Sequence, residues 1–402
     1  MAEINETAVE EKVSLGIELK TLAKRNLRDY MMYIVLVAIV IFFSVVTGGK
    51  FITAGNITNL FNQAAYVAVL AIGMTLILIL RQIDLSVGYV AGFSGAVAAI
   101  LLTNNNWPVF VVIPLVLLIG LCIGMYQGIL VTRVGVPAFV TTLAGMFIFR
   151  GLLGVITSKS GTIVIKNEAF NTLNNGFIPD IPIFDGIHFM TILIGIIAVI
   201  LVVFTQIRAR KNKERYNFRV VSLPIFVTML VLVSVVIMVI VTVLAKWRGI
   251  PWSAVIVAAI LLGYNFLLNK TKLGRYIYGI GGNDQAAELS GVNVKNVMLF
   301  AFCSMGVLAS LAGILYSSRL QSATPQAGAA FEMDAIASSY IGGVAVSGGV
   351  GKVTNTIIGT LVIMSLTNGM NLMGVDTFMQ YVVKGIIFIL AVAFDVRTRK
   401  NN

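Results

Sequence analysis

One histidine, His188, and two cysteines, Cys122 and Cys303, are all that this 402-residue chain offers for metal or thiol chemistry. A structural zinc site needs four clustered ligands, a thiol nucleophile needs a neighbouring base, and a disulfide framework needs a spaced even set. Both cysteines lie inside apolar runs, so no catalytic residue and no metal ligand is assigned. Two glycine-rich stretches could cradle phosphate. In Gly279-Ile280-Gly281-Gly282, which follows a strand-like RYIY, the third glycine of a dinucleotide fingerprint would be Asp284. Its charge repels a pyrophosphate, and no βαβ pattern surrounds it. In SGGVGK, residues 347–352, the first glycine of a phosphate loop would be Val346, and Val353 replaces the required hydroxyl. No cofactor is expected in this chain.

What remains is a small set of carboxylates in apolar surroundings. Asp84 lies in RQIDLS, residues 81–86, inside an apolar stretch, 64–102, that is too long for one span. It reads as two helical pieces meeting at a polar joint. An ionised aspartate near mid-bilayer costs about 2.5–3.5 kcal/mol, so Asp84 must be paired, capped or facing water. It either caps the second helical piece by accepting from nearby amides or serves as a ligand for a polar substrate. Asp334 leads into a second small-residue piece, 335–346. An aspartate ahead of an interrupted, small-residue segment in each half of the chain points to two related halves with a pathway between them.

The scaffold that positions these groups is a membrane one. Hydrophobic residues make up 58% of the chain and charged residues 11%, with a mean hydropathy of +0.94. A water-soluble core of ordinary composition is excluded. The net charge of +12 does not imply nucleic acid, because the basic residues sit in short clusters between apolar runs, as the positive-inside rule places them.

Lys12, Lys20, Lys24, Arg25 and Arg28 precede the first apolar run, 30–46, which is too long and too far into the chain for a cleaved signal. The tail 1–29 is therefore read as cytoplasmic. Leu15, Leu19 and Leu22 make it either a helix on the inner leaflet or a solvated tail. Gly88, Gly92, Gly95 and Ala99 recur at helical spacing and form a face that another helix can approach closely. Arg150 lies late in the run 137–157, where it either snorkels to headgroups or touches a polar partner. The loop 158–187 carries no basic excess and is assigned outside. RARKNKERYNFR, residues 208–219, marks the cytoplasm between two further runs. The expected fold is all-α and polytopic, with about 10–12 membrane helices including broken ones. Residues 30–396 form the membrane domain, and the short basic tail 397–402 is cytoplasmic like the N-terminus.

Counting spans from that basic cluster makes residues 269–296 cytoplasmic as well. There Gly281 and Gly282 are expected to form a tight turn, Asn283 to cap a short helix from Asp284 to Ser290, and Gly291 to end it. Two turns of helix do not hold themselves in water, so this helix should dock into a socket with its small apolar side chains Ala286, Ala287 and Leu289.

Three stretches, MTLILILRQIDLSVGYVAG (74–92), GRYIYGIGGNDQAAELSGVNV (274–294) and ATPQAGAAFEMDAIASSYIGGVAVSGGVG (323–351) with its continuation NGMNLMGVDTFMQYVVKGIIFILAVAFDV (368–396), together carry a resemblance. The chain resembles the permease subunits of bacterial ABC importers for monosaccharides of the ribose, xylose and multiple-sugar type, within the branched-chain amino acid and sugar permease superfamily. The resemblance implies a bacterial cell-membrane subunit that forms a homodimer in the lipid bilayer, with no catalytic role of its own. It would receive sugar from an extracytoplasmic binding protein and be driven by a cytoplasmic ABC ATPase holding ATP and Mg. Gly281, Gly282, Asn283, Asp284, Ala286, Ala287, Glu288, Leu289 and Gly291 then carry over as the segment that contacts the ATPase. Asp84, Ser86, Gly88, Asp334, Asn368 and Asn371 carry over as the membrane motif and pathway. Residues 188–250 look like a helix pair inserted relative to the ribose type. Ribose-type members have small residues where this chain has Arg81 and Gln82. The competing classes are an ion- or proton-coupled secondary transporter using Asp84 or Asp334, and an ABC permease for branched-chain amino acids.

Overall fold

The computed structural model describes residues 15–400 except 159–160, 184–185, 217 and 219. In chain order the helices are α1 (Leu15–Val46), α2 (Ala54–Ile79), α3 (Val87–Thr103), α4 (Val109–Ile129), α5 (Ala138–Thr157), α6 (Glu168–Asn175), α7 (Phe189–Arg215) and α8 (Leu223–Ala245). They continue as α9 (Trp252–Lys270), α10 (Lys272–Gly282), α11 (Asp284–Leu289), α12 (Val294–Leu320), α13 (Phe331–Ile341), α14 (Val353–Leu372) and α15 (Thr377–Lys400). Among the described residues, the extended structure is a two-residue pairing of β1 (Ile163–Val164) with β2 (Ser322–Ala323) and an isolated bridge between Phe177 and Pro251.

Eight helices among the described residues are long and apolar enough to cross a membrane, and Met31–Val46, Val87–Thr103 and Thr377–Leu390 are shorter apolar helices. The protein is thus all-α and polytopic. The first helix starts earlier than the apolar run, at Leu15 rather than residue 30. The leucine stripe on residues 15–22 concerns side chains outside those described, as does the tail 1–14.

Two helices form the axis. α2 is buried from Gln63 to Ile79, as a helix that is apolar all round must be. α12 packs along α2, α3 and α4. These crossings are made at main-chain distance. A Cβ on Gly120 would run into the Gly306 carbonyl and the Ser310 hydroxyl, one on Gly124 into the Phe302 carbonyl, and one on Gly313 into the Ala91 carbonyl. The glycine face of α3 packs as its spacing predicts: Gly95 meets the Gly313 carbonyl, while Gly92 and Gly88 meet the carbonyls of Ala327 and Gly328. Between apolar helices in lipid, such approach is what dispersion and small-residue packing demand. Hydroxyl pairs also join the helices, Ser94 with Ser310 at 2.7 Å and Thr75 with Thr356 at 2.7 Å. Tyr66, Tyr316 and Phe331 add a ring cluster with centroids 4.8–5.1 Å apart.

At one end, α6 folds over the C-terminus of α12, with Ser318 donating to the Phe170 carbonyl at 2.8 Å and the Asn175 amide donating to the Ser318 carbonyl at 2.8 Å. At the other end lie α10, α11 and the loop 342–352. α7 and α8 pack mainly on each other at the periphery.

The glycine crossings generate a test. Gly120→Leu forces a side chain into main-chain atoms of α12, and overpacking of this kind costs about 1–3 kcal/mol or more. Gly263→Leu on α9 enters open space. In detergent-solubilised protein the first substitution should lower the thermal midpoint and the folded yield, and the second should leave both unchanged or improved.

Candidate functional site

The break between α2 and α3 is built from the way α2 ends. The Arg81 amide bonds the Leu78 carbonyl and the Gln82 amide bonds the Ile77 carbonyl, each at 3.0 Å. That is the paired capping pattern of a Schellman motif, whose left-handed position normally belongs to glycine. Here it is Arg81, with φ of 60°. A left-handed conformation costs a non-glycine residue about 1–2 kcal/mol. The side chain offsets this. Its Nε donates to the Ser347 carbonyl at 2.7 Å and its Nη2 to the Gly282 carbonyl.

Asp84 follows three residues later, 2% exposed. Its Oδ1 accepts from the Ser86 amide at 2.9 Å and from the Ser86 hydroxyl at 2.6 Å. Asp84 is therefore not the N-cap that the sequence offers: that position is Ser86, two residues on, whose own side chain makes no capping bond, and Asp84 holds Ser86 in place through an Asx turn. The Ser86 hydroxyl also accepts from Gln127 Nε2 of α4 at 2.8 Å. Gly145 of α5 leaves room for Gln127, since a Cβ there would run into its amide. The Thr142 hydroxyl donates to the Ile83 carbonyl at 3.3 Å. Gln127 is near the end of α4 and Thr142 near the start of α5. The joint therefore lies at the α10 end of the bundle and not at mid-depth.

Beside it, Gly88 faces Glu332 of α13, whose carboxylate oxygen would meet any Cβ there. Glu332 is 7% exposed, and its Oε2 has no hydrogen-bond partner among the described residues. Asp334 is not the leader of a helical piece as the sequence reading has it. α13 begins at Phe331, so Asp334 sits within its first turn, and the helix ends at Ile341 rather than running on to 346. Lys384 Nζ of α15 donates to both Asp334 oxygens at 2.9 and 3.0 Å, tying α15 to α13.

Asn368 and Asn371 are not part of this constellation. The Asn368 oxygen accepts from Asn56 at 2.8 Å, at the opposite end of α2 from Asp84, and the Asn371 oxygen accepts from Gln380 at 2.8 Å. Both act as ties between helices.

Residues 270–294 form two helices and not a strand, turn and helix. RYIY lies inside α10, and Gly281 and Gly282 are its last two residues. Neither has positive φ, so the expected tight turn is absent. α10 is amphipathic, burying Gly274, Ile277, Ile280 and Gly281 on one face. Gly281 is glycine for closeness, because a Cβ would run into the Ile79 carbonyl. Asn283 does cap α11, accepting from the Ala286 amide at 3.0 Å. α11 stops at Leu289, one residue short of the expected end, and Gly291 with φ of 83° turns the chain away. Its faces divide in an unexpected way. Ala287 is buried against this chain's own core, whereas Asp284, Ala286, Glu288 and Leu289 are exposed, Leu289 at 90%.

The loop 347–351 closes the arrangement. Gly348 and Gly349 have φ of 75° and 69°, the Gly349 amide donates to the Ile79 carbonyl at 2.9 Å, and the Tyr278 hydroxyl donates to the Gly351 carbonyl at 2.7 Å. Burial pushes the Tyr278 hydroxyl above its ordinary pKa, so it keeps the proton it donates. The end of α2, the end of α10 and this loop are thus one knot, and Asp84 lies within three residues of it. Sequence reasoning assigned no role to Arg81, Gln127, Glu332 or Lys384, although Arg81 stood out as a departure from the ribose type. A signal existed for two of them: Gln127 and Lys384 are polar groups inside apolar helices, which must find partners.

The family described as branched-chain amino acid transport system / permease component matches residues 56–392. The xylose transport system permease protein of Escherichia coli strain K12 is 35% identical over 402 residues, covering 100% of both chains. That of Haemophilus influenzae is 38% identical over 375 residues, covering 93% of this chain and 98% of its own. The ribose import permease protein of Haemophilus influenzae is 31% identical over 371 residues, 92% of each. No solved structure matches. A family match over most of the length, relatives aligned from end to end and eight membrane-capable helices agree: this chain is a multi-pass protein of the cell membrane and belongs to the permease components of the branched-chain amino acid transport family.

Proposed function

We propose that the chain is the membrane-spanning permease subunit of an ATP-driven importer that carries a monosaccharide, xylose or another pentose or hexose, by alternating access. The observation that carries this reading is the end-to-end likeness to xylose permeases, with the ribose permease next to them. The site supports it further. A short capped helix that exposes Leu289 while anchoring itself through Ala287 has the form of a contact for another protein. That protein would be a cytoplasmic ABC ATPase holding ATP and Mg. α11 would meet it through Asp284, Ala286, Glu288 and Leu289, with Gly281, Gly282, Asn283 and Gly291 setting the helix in place. Two copies of the chain would form the pathway. Asp84, Ser86 and Gly88 line the joint on the ATPase side, and an extracytoplasmic binding protein delivers sugar at the α6 end. Both basic termini would then be cytoplasmic, and residues 188–250 a peripheral addition to the ribose-type plan.

Co-expression with an adjacent ATPase and binding protein should give vesicles that take up a labelled pentose or hexose only with ATP, and discharge of the proton gradient should not stop them. In that system Leu289→Arg places a charge in a contact that excludes water, which is costly only if the contact exists. It should leave insertion and thermal stability unchanged but lose co-purification of the ATPase. Unaltered co-purification and uptake would reduce α11 to a connecting segment.

Asp84 separates this reading from ion coupling. Asp84→Asn keeps an acceptor oxygen for the Ser86 amide and hydroxyl, so folded protein and ATP-driven uptake should persist. Asp84→Leu leaves two buried donors unmet, each at about 1–3 kcal/mol, so folded protein should fall. Abundant Asp84→Asn protein without uphill uptake, combined with wild-type uptake insensitive to ATP depletion, would identify a proton-coupled transporter.

A further inference from the structure

If α11 receives the stroke of an ATPase, that stroke has to reach the bundle, and the polar groups between them are few. α11 is joined to α10 through Asn283, and α10 ends on the Gly282 carbonyl. That carbonyl accepts from Arg81 Nη2, while Arg81 Nε holds the Ser347 carbonyl at 2.7 Å. Arg81 belongs to the non-helical joint that includes Asp84 and leads into α3. A short stretch between two helix ends is where backbone rotation is absorbed when packed elements move. We propose that Arg81 is the positioning residue that locks the ATPase-facing helices to this hinge, so that displacement of α11 turns α3 about the Asp84 joint instead of sliding past it. The proposal rests on the reading of α11 as the ATPase contact.

Three independent features carry it. Arg81 occupies a left-handed position that glycine would fill without strain, so the backbone gains nothing from an arginine there. Arg81 is an exposed residue, so it is not needed to fill the core. Both of its acceptors are main-chain carbonyls on segments more than 200 residues away, 201 to Gly282 and 266 to Ser347. A planar fork with donors in fixed directions suits the simultaneous holding of two carbonyls, and an ammonium on a flexible stem does so less well. The glycines around it, Gly281, Gly348 and Gly349, bring the three backbones close enough for one side chain to span them.

The test uses the assembled importer in proteoliposomes with the panel of labelled pentoses and hexoses, measuring uptake and ATP hydrolysis together. Arg81→Gly keeps the left-handed turn. It should melt at the wild-type temperature and co-purify with the ATPase, while sugar moved per ATP falls on the order of ten-fold, within the range over which single residues alter coupling. Arg81→Lys should restore part of the loss, because one donor can still reach one carbonyl, whereas Arg81→Met, which fills similar space without a donor, should restore none. Wild-type sugar per ATP in Arg81→Gly overturns the proposal. So does loss of folded protein or of the ATPase in Arg81→Gly, since Arg81 would then be structural. Leu289→Arg measured in parallel keeps the two ideas apart: if it is silent, the reading of α11 fails, and if it disrupts the complex while Arg81→Gly couples normally, the lock alone fails.

Discussion

Main-chain atoms can touch only where no side chain intervenes, and the rest of this structure depends on the positions where they do. In lipid the hydrophobic effect does not drive helices together, so affinity between them comes from dispersion over closely matched surfaces. Gly120, Gly124 and Gly306 let α4 and α12 meet, and Gly95 and Gly313 do the same for α3 and α12. Gly281 against the Ile79 carbonyl repeats the device outside the apolar bundle. The segment facing the proposed ATPase is therefore packed on α2 in the same way as the transmembrane helices are packed on one another.

That packing decides what the polar groups can do. With α2, α10 and the loop 347–351 brought to main-chain distance, Arg81 can hold two carbonyls at once, and the buried Ile79 carbonyl at the end of α2 is satisfied by the Gly349 amide. Asp84 fixes Ser86, the N-cap of α3, and Gln127 and Thr142 hold the joint from α4 and α5. The Asp334 carboxylate is paired with Lys384. Among the described residues, Glu332 is left with one buried oxygen unmet beside Gly88. The joint is thus held at its ends by hydrogen bonds yet free of helix between them, which places it where a hinge would absorb rotation.

The sequence made much of this legible, and where it failed the reasons are physical. Apolar runs and basic clusters reveal spans because insertion into lipid depends on local composition. The break at 81–86, the glycine face of α3 and the Asn283 cap follow from local rules, and the structure has all three. Local rules also misled. Paired glycines read as a turn, but Gly281 and Gly282 end a helix and serve long-range approach to Ile79. Ala287 could not be assigned to its own chain or to a partner without knowing where α11 lies against the core. Asp334 read as a leader because acidic residues mark a helix's first turn without fixing where it begins, and the Lys384 that pairs with it is 50 residues away in another helix. Arg81 was invisible as a clamp for the same reason: its acceptors are carbonyls, which leave no mark in a sequence.

The central claim is that α11 and the loop 347–351 move as one body with the end of α2. Spin labels at Ser290 and Val350, both exposed and both outside the residues of α11 proposed to touch the ATPase, would report on it directly in the assembled complex, with labelled chains diluted by unlabelled ones. A single label at Ser290 on each of the two proposed copies would monitor the stroke. On addition of ATP with vanadate, the distance between copies should change while the Ser290 to Val350 distribution keeps its position and width. A shift of the Ser290 to Val350 distance as large as that between copies would contradict the account.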